Sequence, residues 1–206
     1  MTATLIGILS IVLAVISYAL YIRNTVTGNT KPHSMTWLIW SALNFFIFFA
    51  QLEAGAGAGA WVTGGAGIGA GIIFALSLWH GEHTITKLDY VLMGLVAIML
   101  LLWSQTGDAV TAVWFALAIF LLGFLPTLRK ATTKPLEETA TSFALNGAKF
   151  FLSFIALSSV TFVTAAYPLM LFVVNFGFAI YLVIMRQQQK HAAQKRRVNK
   201  RTKARS

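Results

Sequence analysis

The sequence predicts an all-α integral membrane protein of seven spanning helices, set out as two parallel three-helix repeats joined by a linker helix (3+1+3). Three observations lead there. Of the 206 residues 57% are hydrophobic and 11% charged, where a soluble domain carries about 25% charged residues. The apolar residues come in long blocks, and a block of about 20 crosses the hydrocarbon core as a helix at 1.5 Å rise per residue. Finally, two stretches about a hundred residues apart echo each other. Thr30-Lys31-Pro32 leads to Ser41-Ala42-Leu43-Asn44 and a Phe-rich run from Phe45, and Thr133-Lys134-Pro135 leads to Phe143-Ala144-Leu145-Asn146 and a second run from Phe150. Each copy is a basic loop, a proline and an apolar helix with an Asn inside it, which is a duplication signal to be weighed before any other.

The first helix is expected over residues 3–22. No basic region precedes its apolar run, which argues against a cleaved signal peptide. Gly7, Ser10, Ala14 and Ser17 share one face and read as a seam for close helix packing in lipid. The second helix, residues 35–52, starts just after Pro32, where a missing N–H costs little. Ser34, Trp37, Ser41, Asn44, Phe48 and Gln51 line one of its faces, and polar groups at membrane depth turn toward the bundle or a wet cavity.

Residues 53–59 form a Gly/Ala turn before a third helix over 60–79. Its glycines do not make a nucleotide loop, because no strand precedes them; Gly67 and Gly71 instead have the small-xxx-small spacing of a tight crossing. His80-Gly81-Glu82-His83 has two metal-ligand residue types, but no third His lies nearby, so solvated loop residues are the favoured reading. The fourth helix, 88–104, has no counterpart in either repeat, and a tight turn at 105–108 follows.

The fifth helix, 109–128, carries Pro126 in its last turn, a position that kinks a helix and marks a hinge. A loop is expected over 129–138. The sixth helix, 139–158, repeats the polar face of the second with Thr139, Ser142, Asn146, Lys149 and Ser153. The seventh, 161–185, is expected to be broken by Pro168 and carries Asn175 mid-span. The units are then a first repeat at 1–79, the linker helix with its loops at 80–108, a second repeat at 109–185, and a basic tail at 186–206 expected to be disordered.

Net charge is +10, and residues 186–205 hold nine Lys/Arg and no acid. With the tail taken as cytoplasmic, fifteen of the sixteen basic residues fall on that side and none in the loops opposite; Lys149 is the sixteenth. The positive-inside rule therefore puts the N-terminus outside and the C-terminus in the cytoplasm. The tail lacks aromatic residues for base stacking, so it reads as an anchor on anionic lipid and nucleic acid is not an expected partner.

The triplet–linker–triplet order resembles the PQ-loop superfamily, which includes the SWEET sugar transporters, and is closest to its uncharacterised bacterial members. The resemblance spans about residues 3–185. Its best local match is Pro126-Thr127 with Lys134 beyond it; Thr127 stands where the family has Gln, and Pro135 where it has Ser. It implies a bacterial inner (plasma) membrane protein that moves a small solute by rocking of its two bundles, with the solute near the midplane and Pro126 as hinge. It also implies an Asn on the last helix of each triplet. Asn175 fits, whereas the third helix has no Asn.

The candidate solute-binding residues are Ser41, Asn44, Asn146, Lys149 and Asn175, set against interhelical hydrogen bonding worth about 0.6 kcal/mol per contact. Lys149 lies about 15 Å into its helix, where an uncompensated lysine costs about 2.5–3.5 kcal/mol. It is expected to face a cavity between the triplets, meeting water, Asn side chains and an anionic group of the solute; backbone carbonyls at a break near Pro168 are the alternative. No Ser/His/Asp set, acidic pair or metal cluster points to an enzyme, and no cofactor is expected. The other class left open is a non-transporting receptor or interaction protein on the same fold, and a homo-oligomer is compatible with both.

Overall fold

The structure, a computed structural model, describes residues 2–82 and 85–203, without the side chains of Pro126 and of residues 191–203. The described residues form seven α-helices: α1 (Ala3–Val26), α2 (Ser34–Glu53), α3 (Trp61–His80), α4 (Lys87–Thr106), α5 (Ala109–Thr133), α6 (Ala140–Ile155) and α7 (Phe162–Lys203). Short 3-10 turns lie at Gly57–Ala60 and Pro135–Glu137. Six helices are long and apolar enough to cross a membrane. The exception is α6, whose 16 residues rise only about 24 Å.

The ends of the helices follow local chemistry. Thr86 and Asp89 form a reciprocal capping box at the start of α4, and Gly107 ends that helix with φ 63°. A left-handed residue there costs least as glycine. The Asp108 carboxylate then accepts from the amides of Val110 and Thr111 and opens α5. At α6 the capping hydroxyl is otherwise engaged, since Thr139 Oγ1 accepts from Asn24 Nδ2 and pairs with Thr30 Oγ1, each at 3.0 Å.

α3 packs on both α1 and α2, and α7 on both α5 and α6. α1 also packs along α6 and α2 along α5, while α4 rests against α5 and α2. The small-residue face of α1 is buried from Gly7 to Ser17, and the Ser17 hydroxyl donates to the Ser142 carbonyl on α6 at 2.9 Å. α2 and α3 cross as tightly as the glycine spacing predicts. Gly67 lies under the Phe45 ring, Gly64 under Phe48, and Ser41 Oγ donates to the Gly67 carbonyl at 2.9 Å.

Three expectations need correction. Pro168 does not break α7, which runs through it without interruption. A proline removes the N–H that would pair with the carbonyl four residues back, here that of Thr164. Gln51 Nε2 on α2 donates to that carbonyl at 2.8 Å, so the helix continues with its freed acceptor satisfied. The basic tail expected to be disordered is instead drawn into α7 as far as Lys203. The loop expected from residue 129 is helical to Thr133. α5 thus passes through the proposed hinge at Pro126, whose side chain lies outside the described residues.

The two ends of the bundle differ. At the end carrying the α1–α2, α3–α4 and α5–α6 loops, contacts are polar and basic: Lys130 Nζ lies 3.1 Å from Glu138 Oε1 and donates to the Lys31 carbonyl. The opposite end is a close backbone seal. The Ser158 amide donates to the Ala56 carbonyl at 3.1 Å, Ser153 Oγ to the Gly59 carbonyl at 2.7 Å, and Gly59 has Leu157 packed directly on its Cα.

Candidate functional site

The helices that carry the two echoing sequences bring their Asn residues to one place. Asn44 on α2, Asn146 on α6 and Asn175 on α7 line a single interior cavity with Ser17 and Ser142. Its volume is about 40 Å³, room for roughly two or three waters. Asn146 Nδ2 donates to Asn175 Oδ1 at 2.7 Å. Asn44 and Asn175 each donate Nδ2 to the carbonyl one turn back, those of Trp40 and Leu171. This fixes both amides and turns the Asn44 oxygen away from the helix. Asn44 Oδ1, Ser142 Oγ and Trp40 Nε1 are buried and have no hydrogen-bond partner among the described residues, so two acceptors and two donors stand unspent at the cavity wall.

Above the cavity a vestibule of about 1040 Å³ opens at the basic end. Tyr21, Trp37, Trp40 and Phe143 line both spaces and form an aromatic collar between them. Tyr21 and Trp37 rings lie 4.8 Å apart, Trp37 and Trp40 5.2 Å, and Trp40 stacks on Phe120 of α5 at 5.2 Å. Such rings offer apolar faces to a solute while the amides below offer polar contacts, the usual composition of a small-molecule site.

The vestibule is lined by Lys31, Lys87, Arg129, Lys130 and Lys134, with Glu82, Glu137 and Glu138. Lys130 pairs with both Glu137 and Glu138, and Lys134 with Glu137. Burial pushes the Glu138 carboxyl above its ordinary range, although Lys130 beside it pulls the other way. Lys31, Lys87 and Arg129 have no carboxylate partner among the described residues.

Of the residues expected from sequence, Asn44, Asn146 and Asn175 converge. Ser41 does not line the cavity: its hydroxyl is spent on the α2–α3 crossing, as the packing alternative supposes. Lys149 is fully buried on α6 yet also outside the cavity lining. Its Nζ lies 4.0 Å from the centroid of Tyr18 and 5.0 Å from that of Phe150, and it has no hydrogen-bond partner among the described residues. Both rings line the cavity and screen the amine from it. The alternative of carbonyls near Pro168 is not realised either, because Gln51 takes the one that Pro168 frees.

The metal reading of the 80–83 loop finds no cluster of three ligand residues among the described residues, and His83 lies outside them. Sequence reasoning missed the collar. Its only signal was Trp37, on the same helical face as Asn44; Tyr21, Trp40 and Phe143 look like ordinary apolar positions until α1, α2 and α6 are assembled. Searches against protein families, curated proteins and solved structures find no match to this chain.

Proposed function

We propose that the chain is a small-solute transporter or facilitator of the PQ-loop/SWEET type, which binds its solute between two three-helix bundles and releases it by rocking one against the other. The observation that carries this is the Asn-lined cavity beneath a vestibule open at one end only. The packing supports it further. α3 touches both its partners and so does α7, α1 meets α6 as α2 meets α5, and α4 lies at the side. That pattern suits two copies of one three-helix unit related by an axis along the membrane normal. On the positive-inside reading the vestibule faces the cytoplasm of a bacterial cell, the seal at residues 56–59 and 156–158 faces outward, and the basic end of α7 lies near anionic lipid.

Asn44, Asn146 and Asn175 are the solute-binding residues of this proposal, with Ser142 and Trp40 beside them and the collar as inner gate. Uptake by purified protein in liposomes, over a panel of sugars, amino acids and organic acids, is the test. One saturable substrate, lost in Asn146→Ala, is the expected result. A protein that folds, melts cooperatively and moves nothing in the panel would favour a receptor or interaction protein instead. One observation favours that second reading: about 40 Å³ is smaller than a sugar, so the cavity must widen before it can carry one.

A further inference from the structure

Lys149 and the vestibule share an imbalance of charge. The ionisable side chains on the helices packed against α6 are tyrosines and, toward the helix ends, Lys, Arg and His residues. α1 carries Tyr18, Tyr21 and Arg23, α3 only His80 at its end, and α7 Tyr167, Tyr181 and the basic residues from Arg186 onward. No carboxylate lies on α1, α3, α6 or α7. Lys149 is 0% exposed; its amine lies against the Tyr18 and Phe150 rings and has no hydrogen-bond partner among the described residues. A ring face attracts a cation but accepts no ordinary hydrogen bond, so its donors stay unspent. At the mouth, Lys31, Lys87 and Arg129 likewise have no carboxylate partner among the described residues. Cations lining a cleft raise the local concentration of anions.

The cover over Lys149 belongs to the other half of the molecule. The Tyr18 hydroxyl donates to the Ala66 carbonyl on α3 at 3.1 Å, and its ring lies on Gly69, where a side chain would strike it. Tyr18 is therefore fastened to α1 and α3, while Lys149 rides on α6. Any parting of α1 from α6 lifts the Tyr18 ring off the amine, while Phe150, which moves with Lys149 on α6, stays beside it.

We propose that Lys149 is a shielded binding site for a small oxyanion, a carboxylate or phosphate-type group of the solute, which the vestibule cations gather and the amine receives when Tyr18 withdraws. This rests on the transport reading for the movement only; the binding can be measured alone. Purified full-length protein in an uncharged detergent is titrated with acetate, succinate and inorganic phosphate, and with glucose as neutral control, at constant ionic strength. The readout is the change in tryptophan emission, to which Trp37 and Trp40 beside the cavity contribute among the six tryptophans of the chain.

A saturable response to at least one anion and none to glucose is expected. The midpoint should be weakened about tenfold or more in Lys149→Met. Lys149→Met should melt no lower than wild type, because it removes an unpartnered amine. If it fails to fold, Tyr18→Ala decides: removing the cover should tighten the anion midpoint. Silence to every anion, an unaltered midpoint in Lys149→Met, or a response confined to added anionic lipid overturns the proposal. Anion binding without liposome uptake would remove the transport reading and leave the site; uptake of a neutral solute without anion binding would do the reverse.

Discussion

Gln51 and Pro168 lie on different helices and share one hydrogen bond. Pro168 cannot donate to the Thr164 carbonyl, and Gln51 Nε2 does so in its place at 2.8 Å. Gln51 is fully buried, so Gln51→Leu leaves that carbonyl without a partner, and the cost is expected to be about 1 kcal/mol or more. Adding Pro168→Ala restores the backbone donor and should recover most of the loss. Reversible unfolding of the four combinations gives the coupling directly; additive losses would show that Gln51 stabilises α7 in some other way. Glu138 is a second case at this scale. Burial raises its carboxyl above the ordinary value of 4.5 despite Lys130, so the folded protein binds that proton more readily than the unfolded chain. Stability from this group should therefore rise as pH falls through the folded value and level off below 4.5. Melting temperature against pH should show that rise in wild type and lose it in Glu138→Gln; an equal rise in the variant would assign it to another group.

At the scale of elements, much was legible because membrane depth forces polar residues inward. On the faces read for the second and sixth helices, Ser34, Trp37, Ser41, Asn44 and Gln51 of α2 and Ser142, Lys149 and Ser153 of α6 are buried, and the small-residue stripe of α1 meets α6 at Ser17 and the Gly57–Ala60 turn at Gly7. What sequence could not give was pairing across helices. Nothing in the order of residues says that Ser41 spends its hydroxyl on Gly67, that Tyr18 covers Lys149, or that Gln51 keeps α7 whole at Pro168. The length of α6 was misjudged for a related reason. Its last apolar residues, Leu157 among them, leave the helix to pack on the Gly57–Ala60 turn and form the seal. That seal depends on Gly59, where an added Cβ would lie 2.9 Å from both the backbone nitrogen and Cα of Leu157. Neither atom can move aside as a flexible side chain does. Gly59→Ala should therefore lower the melting temperature and loosen this end, seen as faster hydrogen exchange at residues 56–60 and 156–158 with the basic end unchanged. Unchanged exchange there would mean the seal is not a close fit.

For the whole molecule, orientation rests on charge alone, fifteen basic residues on one side and none in the loops opposite. A reporter fused after Ser206 should be active only in the cytoplasm, and activity outside would reverse the vestibule and the seal together. Alternating access requires that the Asn-lined cavity be reached from both sides in turn. The chain has no cysteine, so a single Ser142→Cys places the sole thiol at the cavity wall without disturbing Asn44, Asn146 or Asn175. Membrane-impermeant maleimide applied to each face of oriented membranes reads its access. Labelling is expected from the vestibule side in the resting protein, and from the opposite side once Gly59→Ala loosens the seal. A thiol that the reagent reaches from the vestibule side alone, in both backgrounds, would show a cavity that opens to one side only and overturn alternating access.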